Sequence, residues 1–108
     1  MTEFEYVQAV TTIGTEEAAT ALAASAVEAR LAACAQVTGP VTSTYRWEGE
    51  LETAKEWQVV FKTTAASYQD LEFHIKAEHG YDVPEIIVTP IVTGNPAYLE
   101  WLRAETTR

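Results

Sequence analysis

The chain has 108 residues, 47% of them hydrophobic and 21% charged, a composition that builds one globular domain over residues 1–108 rather than a disordered segment. Sixteen acidic against seven basic residues give a formal charge of −9, and with no basic stripe to offset it the surface repels phosphate backbones, which excludes nucleic acid as a partner. No apolar run reaches the roughly 20 residues that cross a bilayer, no secretory leader is visible, and the single Cys34 allows no internal disulfide; together these predict a cytoplasmic protein with no membrane partner.

"FEYVQAVTTI" (4–13) is rich in β-branched and aromatic residues and reads as the first strand. A long helix follows through "GTEEAATALAASAVEARLAAC", with Thr15 as its N-cap and Glu16 and Glu17 at the positive end of its dipole. Leu22, Ala26, Ala29 and Ala33 recur at helical spacing along it. "AQVTGPVTSTYRWEG" opens a second strand, bent or bulged at Gly39-Pro40, with Ser43, Tyr45 and Trp47 on one face. "WEGE" around Gly49 is a hairpin tip. The return strand "KEWQVVFKTT" alternates, Trp57, Val59 and Phe61 against Glu56, Gln58, Val60 and Lys62. Two strands of this length predict an arm reaching beyond the body of the domain.

"ASYQDLEFHIKAEHG" reads as the second helix, with Ser67 and Asp70 as a capping box, Leu71 and Ile75 facing inward, and Gly80 as a left-handed C-terminal cap. "DVPEIIVTPIVTG" is a last main strand, where Pro90 favours an edge position. Asn95-Pro96 opens a short third helix with Tyr98, Trp101 and Leu102 as its apolar stripe. The order β-α-β-β-α-β plus a C-terminal helix predicts an α+β, ferredoxin-like sandwich with helices on one sheet face. The other face, carrying Glu56, Gln58, Val60 and Lys62, invites oligomerisation.

Chemistry-bearing residues are sparse. "HGYDVPEIIV" (79–88) puts His79 beside Asp82 and Glu85, and His74 and Glu78 share a helical face at i and i+4, where a cation can be pinched. The plain alternative is a helix end whose histidine complements the dipole. Cys34 lacks an adjacent base and is expected to be a buried small hydrophobe. Glu56, Lys62, His79 and Glu85 form either a polar cleft or a salt-bridged network. Trp47, near a hairpin tip with little core around it, is expected to anchor a subunit interface.

"EARLAAC", "STYRWEGE", "KEWQVVFKTT", "HGYDVPEIIV" and "YLEWL" keep a common order and spacing, and together they resemble the CutA family of divalent-cation tolerance proteins from about Thr11 to Leu102. The resemblance implies a ferredoxin-like fold assembled as a tight homotrimer, with a quaternary plan like that of PII signalling proteins, and a part in tolerance of copper and other divalent cations. Its recurrent positions fall on Ser43, Tyr45, Trp47, Gly49, Glu56, Lys62, Thr63, His79, Tyr81, Pro84, Glu85 and Trp101. Members often read His-Pro-Tyr where this chain has His79-Gly80-Tyr81, and Gly-Lys where it has Gly49-Glu50. Some also carry a cysteine where Thr11 stands and paired histidines where Glu78 and His79 stand. With those soft ligands reduced to one, a divalent ion is expected on His79 assisted by Glu78 or Glu85. Tyr45, Glu56, Lys62, Tyr81 and Trp101 are expected to line an intersubunit cleft. The functional expectation is a binding or regulatory module in metal-ion response, with no required cofactor and copper as an example of its ligand. The alternatives are a PII-like sensor taking an anion near Lys62 and an enzyme using His79 and Glu85 as acid and base.

Overall fold

The β-branched and aromatic runs form strands and the segments between them form helices, but of the last expected strand, 82–94, only Ile86–Pro90 pairs into the sheet. A computed structural model describes residues 4–107. Its elements are β1 (Tyr6–Ile13), α1 (Glu16–Glu28), β2 (Cys34–Trp47), β3 (Glu50–Thr64), α2 (Ala65–Glu78), β4 (Ile86–Pro90) and α3 (Pro96–Glu105). The four strands make one sheet in the order β2-β3-β1-β4, with every neighbouring pair antiparallel. Each β-α-β half is thus split by a strand of the other half, as the expected ferredoxin-like order requires. β4 lies at an edge, where Pro90 costs no internal ladder bond.

The core lies between one sheet face and the two long helices. Ala9, Ile13, Val59 and Phe61 from β1 and β3 meet Leu22 and Ala26 of α1 and Leu71 and Ile75 of α2. Ala19 and Ala26 are fully buried, so their small side chains let α1 lie close on the sheet. Phe61, Leu71 and Ile75 are fully buried too, and each contributes about 1.5–3 kcal/mol by leaving water.

Helix ends differ from the sequence expectations in three places. α1 stops at Glu28, so Ala29 is its cap and Ala33 lies beyond it. The amides of Arg30 and Leu31 bond back to the carbonyls of Val27 and Ala26, both at 3.0 Å, a Schellman closure with Arg30 at φ 61° where glycine is usual. α2 is capped by Thr64, whose hydroxyl accepts from the Ser67 amide at 3.2 Å; Ser67 itself lies inside the helix, buried. His79, not Gly80, ends α2, in extended backbone at φ −83° and ψ 145°, and Gly80 is not left-handed. Thr15 and Asn95 cap α1 and α3 as expected, each accepting an amide at 3.0 Å. On α3 only Leu102 is buried; Tyr98 and Trp101 stand half-exposed with ring centroids 5.5 Å apart.

β3 pairs with β1 only from Trp57 onward, so Glu50–Glu56 pair with β2 alone. That two-stranded arm lengthens the molecule to 45 × 26 × 22 Å. Its tip is a two-residue turn with Glu48 at φ 49° and Gly49 at φ 83°, both left-handed, whose twist matches the flanking strands.

Candidate functional site

The register of the arm decides what the site contains. Up to Thr38, opposite Gln58, the even-numbered residues of β2 share a face with Gln58, Val60 and Lys62. At Gly39-Pro40 an extra residue enters β2, and the ladder resumes with Val41 opposite Glu56. From there the odd-numbered residues share that face, which brings Ser43, Tyr45 and Trp47 to the side of Glu56. Without the bulge Thr42, Thr44 and Arg46 would stand there, since a one-residue slip exchanges the two faces of a strand. Gly39 is required at the bulge by space: a Cβ would sit 2.5 Å from Cδ1 of Trp57.

Beside this face lies the segment between α2 and β4, held by His79. The ring Nε2–H donates to the carbonyl of Thr12 at 2.7 Å, and Nδ1 accepts the amide of Tyr81 at 3.1 Å. An acceptor on one nitrogen and a donor on the other fix the neutral Nε2–H tautomer. The Tyr81 ring tilts against the His79 ring at 4.7 Å, and its hydroxyl donates to Oε2 of Glu56 at 2.7 Å. Burial first, and then the Glu56 carboxylate, push the Tyr81 phenol up to about 12. Thr11 reaches the same segment, its hydroxyl donating to the carbonyl of Glu85 at 2.6 Å.

Between arm and segment opens a groove of about 550 Å³, lined by Ser43, Thr44, Tyr45 and Trp47 on one side and Tyr81, Asp82, Val83 and Glu85 on the other. Thr12 and Glu56 complete its lining. Glu56 is only 6% exposed. The lining holds three carboxylates and no lysine or arginine, so the groove favours positive charge.

The expected site residues separate into groups. Tyr45, Glu56, Tyr81 and Glu85 come together in the groove, and Trp47 joins its wall. Lys62 does not: its Nζ bonds Oε1 of Gln36 at 2.6 Å on the open sheet face. Trp101 stays on α3 with Tyr98. The expected metal set is not assembled within this chain: both His79 nitrogens are engaged, Glu78 is exposed at the end of α2, and among the described residues no group of three His, Cys, Asp or Glu side chains could hold an ion. His74 does not pinch a cation with Glu78; its Nε2 lies 2.8 Å from the Ser25 hydroxyl and ties α2 to α1. Cys34 is half-buried rather than sealed in the core. Asp82 and Val83 were not singled out as cleft residues from sequence; their position shortly after His79 was the signal available.

The CutA1 divalent ion tolerance protein family model matches residues 7–105, nearly the whole chain. The chain belongs to the CutA1 family. It is 44% identical over 95 residues to the divalent-cation tolerance protein CutA of Thermus thermophilus, covering 88% of this chain and 92% of that one. A chloroplastic CutA 1 of Oryza sativa is 42% identical over 95 residues, and there the match spans 88% of this chain but 54% of the relative's length. Among solved structures, the Thermus thermophilus Cut A1 protein superposes with a TM-score of 0.92 at 41% identity, covering 94% of this chain and 99% of that one. A CutA from Archaeoglobus fulgidus, 29% identical with a TM-score of 0.91 over 94% of this chain and 99% of that one, is described as periplasmic. Among the described residues no helix is long and apolar enough to cross a membrane.

Proposed function

We propose that this CutA1-family chain acts as a homotrimeric binding module in the response to divalent cations, copper among them, and not as an enzyme. The observation that carries this reading is the groove, where Glu56, Asp82 and Glu85 gather negative charge with no basic side chain in the lining. The relatives' names, divalent-cation tolerance proteins, agree with a cationic ligand. Trimerisation is supported by the arm: a two-stranded ribbon is marginal in water unless another surface packs on it, and this one exposes Tyr45, Trp47 and Leu51. A cytoplasmic setting is supported by the lone Cys34.

A second reading, a PII-like sensor of a small ligand in an intersubunit cleft, is favoured by the size of the groove and its aromatic wall. The position of Lys62 outside the groove speaks against an anion there. Calorimetric titration of the purified protein with copper, zinc and a panel of carboxylates and nucleotides tests both readings. Divalent ions are expected to bind, and Glu85→Gln to weaken them. Binding of the anions alone would overturn the cation reading.

A further inference from the structure

α1 and α2 cover one face of the sheet, and their outer sides belong neither to the arm nor to the open sheet face. Ser25 of α1 and His74 of α2, 2.8 Å apart, hold the two helices side by side. On α2 the core takes Leu71 and Ile75, and Phe73, two residues from each, points the other way. Its side chain is 78% exposed, the most of any large hydrophobic among the described residues. Ala66, Asp70 and Ala77 are exposed with it, and the spacing 66, 70, 73, 77 places all four on one stripe of the helix. On α1, Ala21 and Ala24 are exposed on the side away from the buried Ala19, Leu22 and Ala26. The alanines leave a shallow apolar strip from which the Phe73 ring projects.

Charge sets what can cover this surface. Glu16, Glu17 and Glu28 on α1 and Asp70, Glu72 and Glu78 on α2 are opposed, within these two helices, by one permanent cation, Lys76, and Glu72 holds it at 2.9 Å. A second copy of this chain would bring the same carboxylates against them, and like charges set face to face repel. A basic surface is attracted instead, and the aliphatic stems and charged heads of its lysines and arginines both pack favourably on an aromatic ring.

We propose that the outer face of α1 and α2 docks a basic amphipathic helix of a partner protein, its apolar residues on Phe73 and the alanines and its lysines or arginines towards the flanking carboxylates. A helix is the fitting shape because two helices held side by side present a straight channel, along which a third packs at about 8–10 Å. The surface is separate from the groove, so it gives a cation-binding module a way to engage another protein without using the ligand site.

The test is fluorescence anisotropy on the intact protein with a labelled amphipathic helix built of leucine and lysine, beside a peptide of the same composition in scrambled order and one with glutamate in place of lysine. The amphipathic basic peptide is expected to bind about tenfold or more tightly than either control. Phe73→Ala should weaken it by about tenfold or more, and Glu28→Gln combined with Glu78→Gln should weaken it and make binding less sensitive to salt. All three side chains are exposed, so these variants keep the fold. Light scattering on Phe73→Ala should report the parent's mass; a lower mass would place the ring against another copy of the chain and overturn the proposal. It would be overturned equally by a scrambled peptide that binds as well as the amphipathic one, or by Phe73→Ala binding like the parent.

Discussion

His79 engages a backbone group through each ring nitrogen, and in doing so it fixes the path of the chain from α2 into the groove. Removing the ring leaves the Thr12 carbonyl and the Tyr81 amide without those partners, a loss of about 1–3 kcal/mol for each group that stays buried. His79→Ala should therefore lower stability by about 2 kcal/mol or more in urea unfolding, while ion binding by the protein that remains folded changes little. Abolished binding in a folded His79→Ala protein would return the ring to the role of ligand. Tyr81 carries the pH dependence. Its phenol is raised from 10.0 to about 12, as is that of Tyr68, where burial again leads and the Glu72 carboxylate adds. A raised phenol favours the protonated folded state, so this contribution is whole below pH 10 and is lost as pH rises towards about 12. Tyr81→Phe should flatten part of that alkaline decline, with Tyr68 supplying the remainder; an unchanged slope would show that burial and the Glu56 carboxylate together do not raise the Tyr81 phenol in the folded chain.

At the scale of elements, two glycines in the β2–β3 hairpin serve different needs. Gly49 has open space around its absent side chain but a φ of 83°, so Gly49→Ala costs backbone strain alone, about 1 kcal/mol. Gly39 has no room, with Trp57 against it, and Gly39→Ala should cost about 1–3 kcal/mol by overpacking and disturb the bulge. Glu48, at φ 49° without being glycine, is the weak member of the turn; Glu48→Asn should raise the thermal midpoint, and a fall would mean the tip is not held in this turn in solution. The hairpin, its tip and the bend at Gly39-Pro40 were legible in the sequence because turn residues and alternation both mark them. The helix ends were not. Gly80 and Ser67 have the chemistry of caps, yet Arg30 closes α1 in a left-handed conformation and Thr64 caps α2, because packing of the following strand and of α2 on the sheet sets where each helix must stop. The site was legible only in part for a similar reason. Tyr45, Glu56 and Glu85 are distant in sequence, and only the bulge puts Tyr45 on the side of Glu56.

For the whole molecule, the arm has two unlike sides. Tyr45 and Trp47 share one with Glu50, Glu52 and Glu56; Arg46 shares the other with Leu51, and Lys55 stands there opposite Thr42. Neither Arg46 nor Lys55 takes part in the ion pairs of the described residues, which involve Arg30, Lys76 and Arg103. An acidic-aromatic side and a basic-apolar side on one ribbon suit a head-to-tail contact between copies, and such contacts close into rings when the rotation permits. Light scattering should accordingly report roughly three times the 11.9 kDa chain mass. Trp47→Ala should weaken assembly by about 2 kcal/mol if that ring is an interfacial anchor, with little effect on folding of the subunit, because Trp47 is 47% exposed in the single chain. Trp57→Ala should act in the opposite sense, damaging the fold first, since Trp57 packs against the core and over Gly39. Arg46→Glu should make assembly salt-sensitive and weaker, and the double change Arg46→Glu with Glu52→Arg should restore part of it if those two sides meet. A folded monomer that persists at micromolar concentration, or an Arg46→Glu protein that assembles like the parent, would show that the arm packs in some other way.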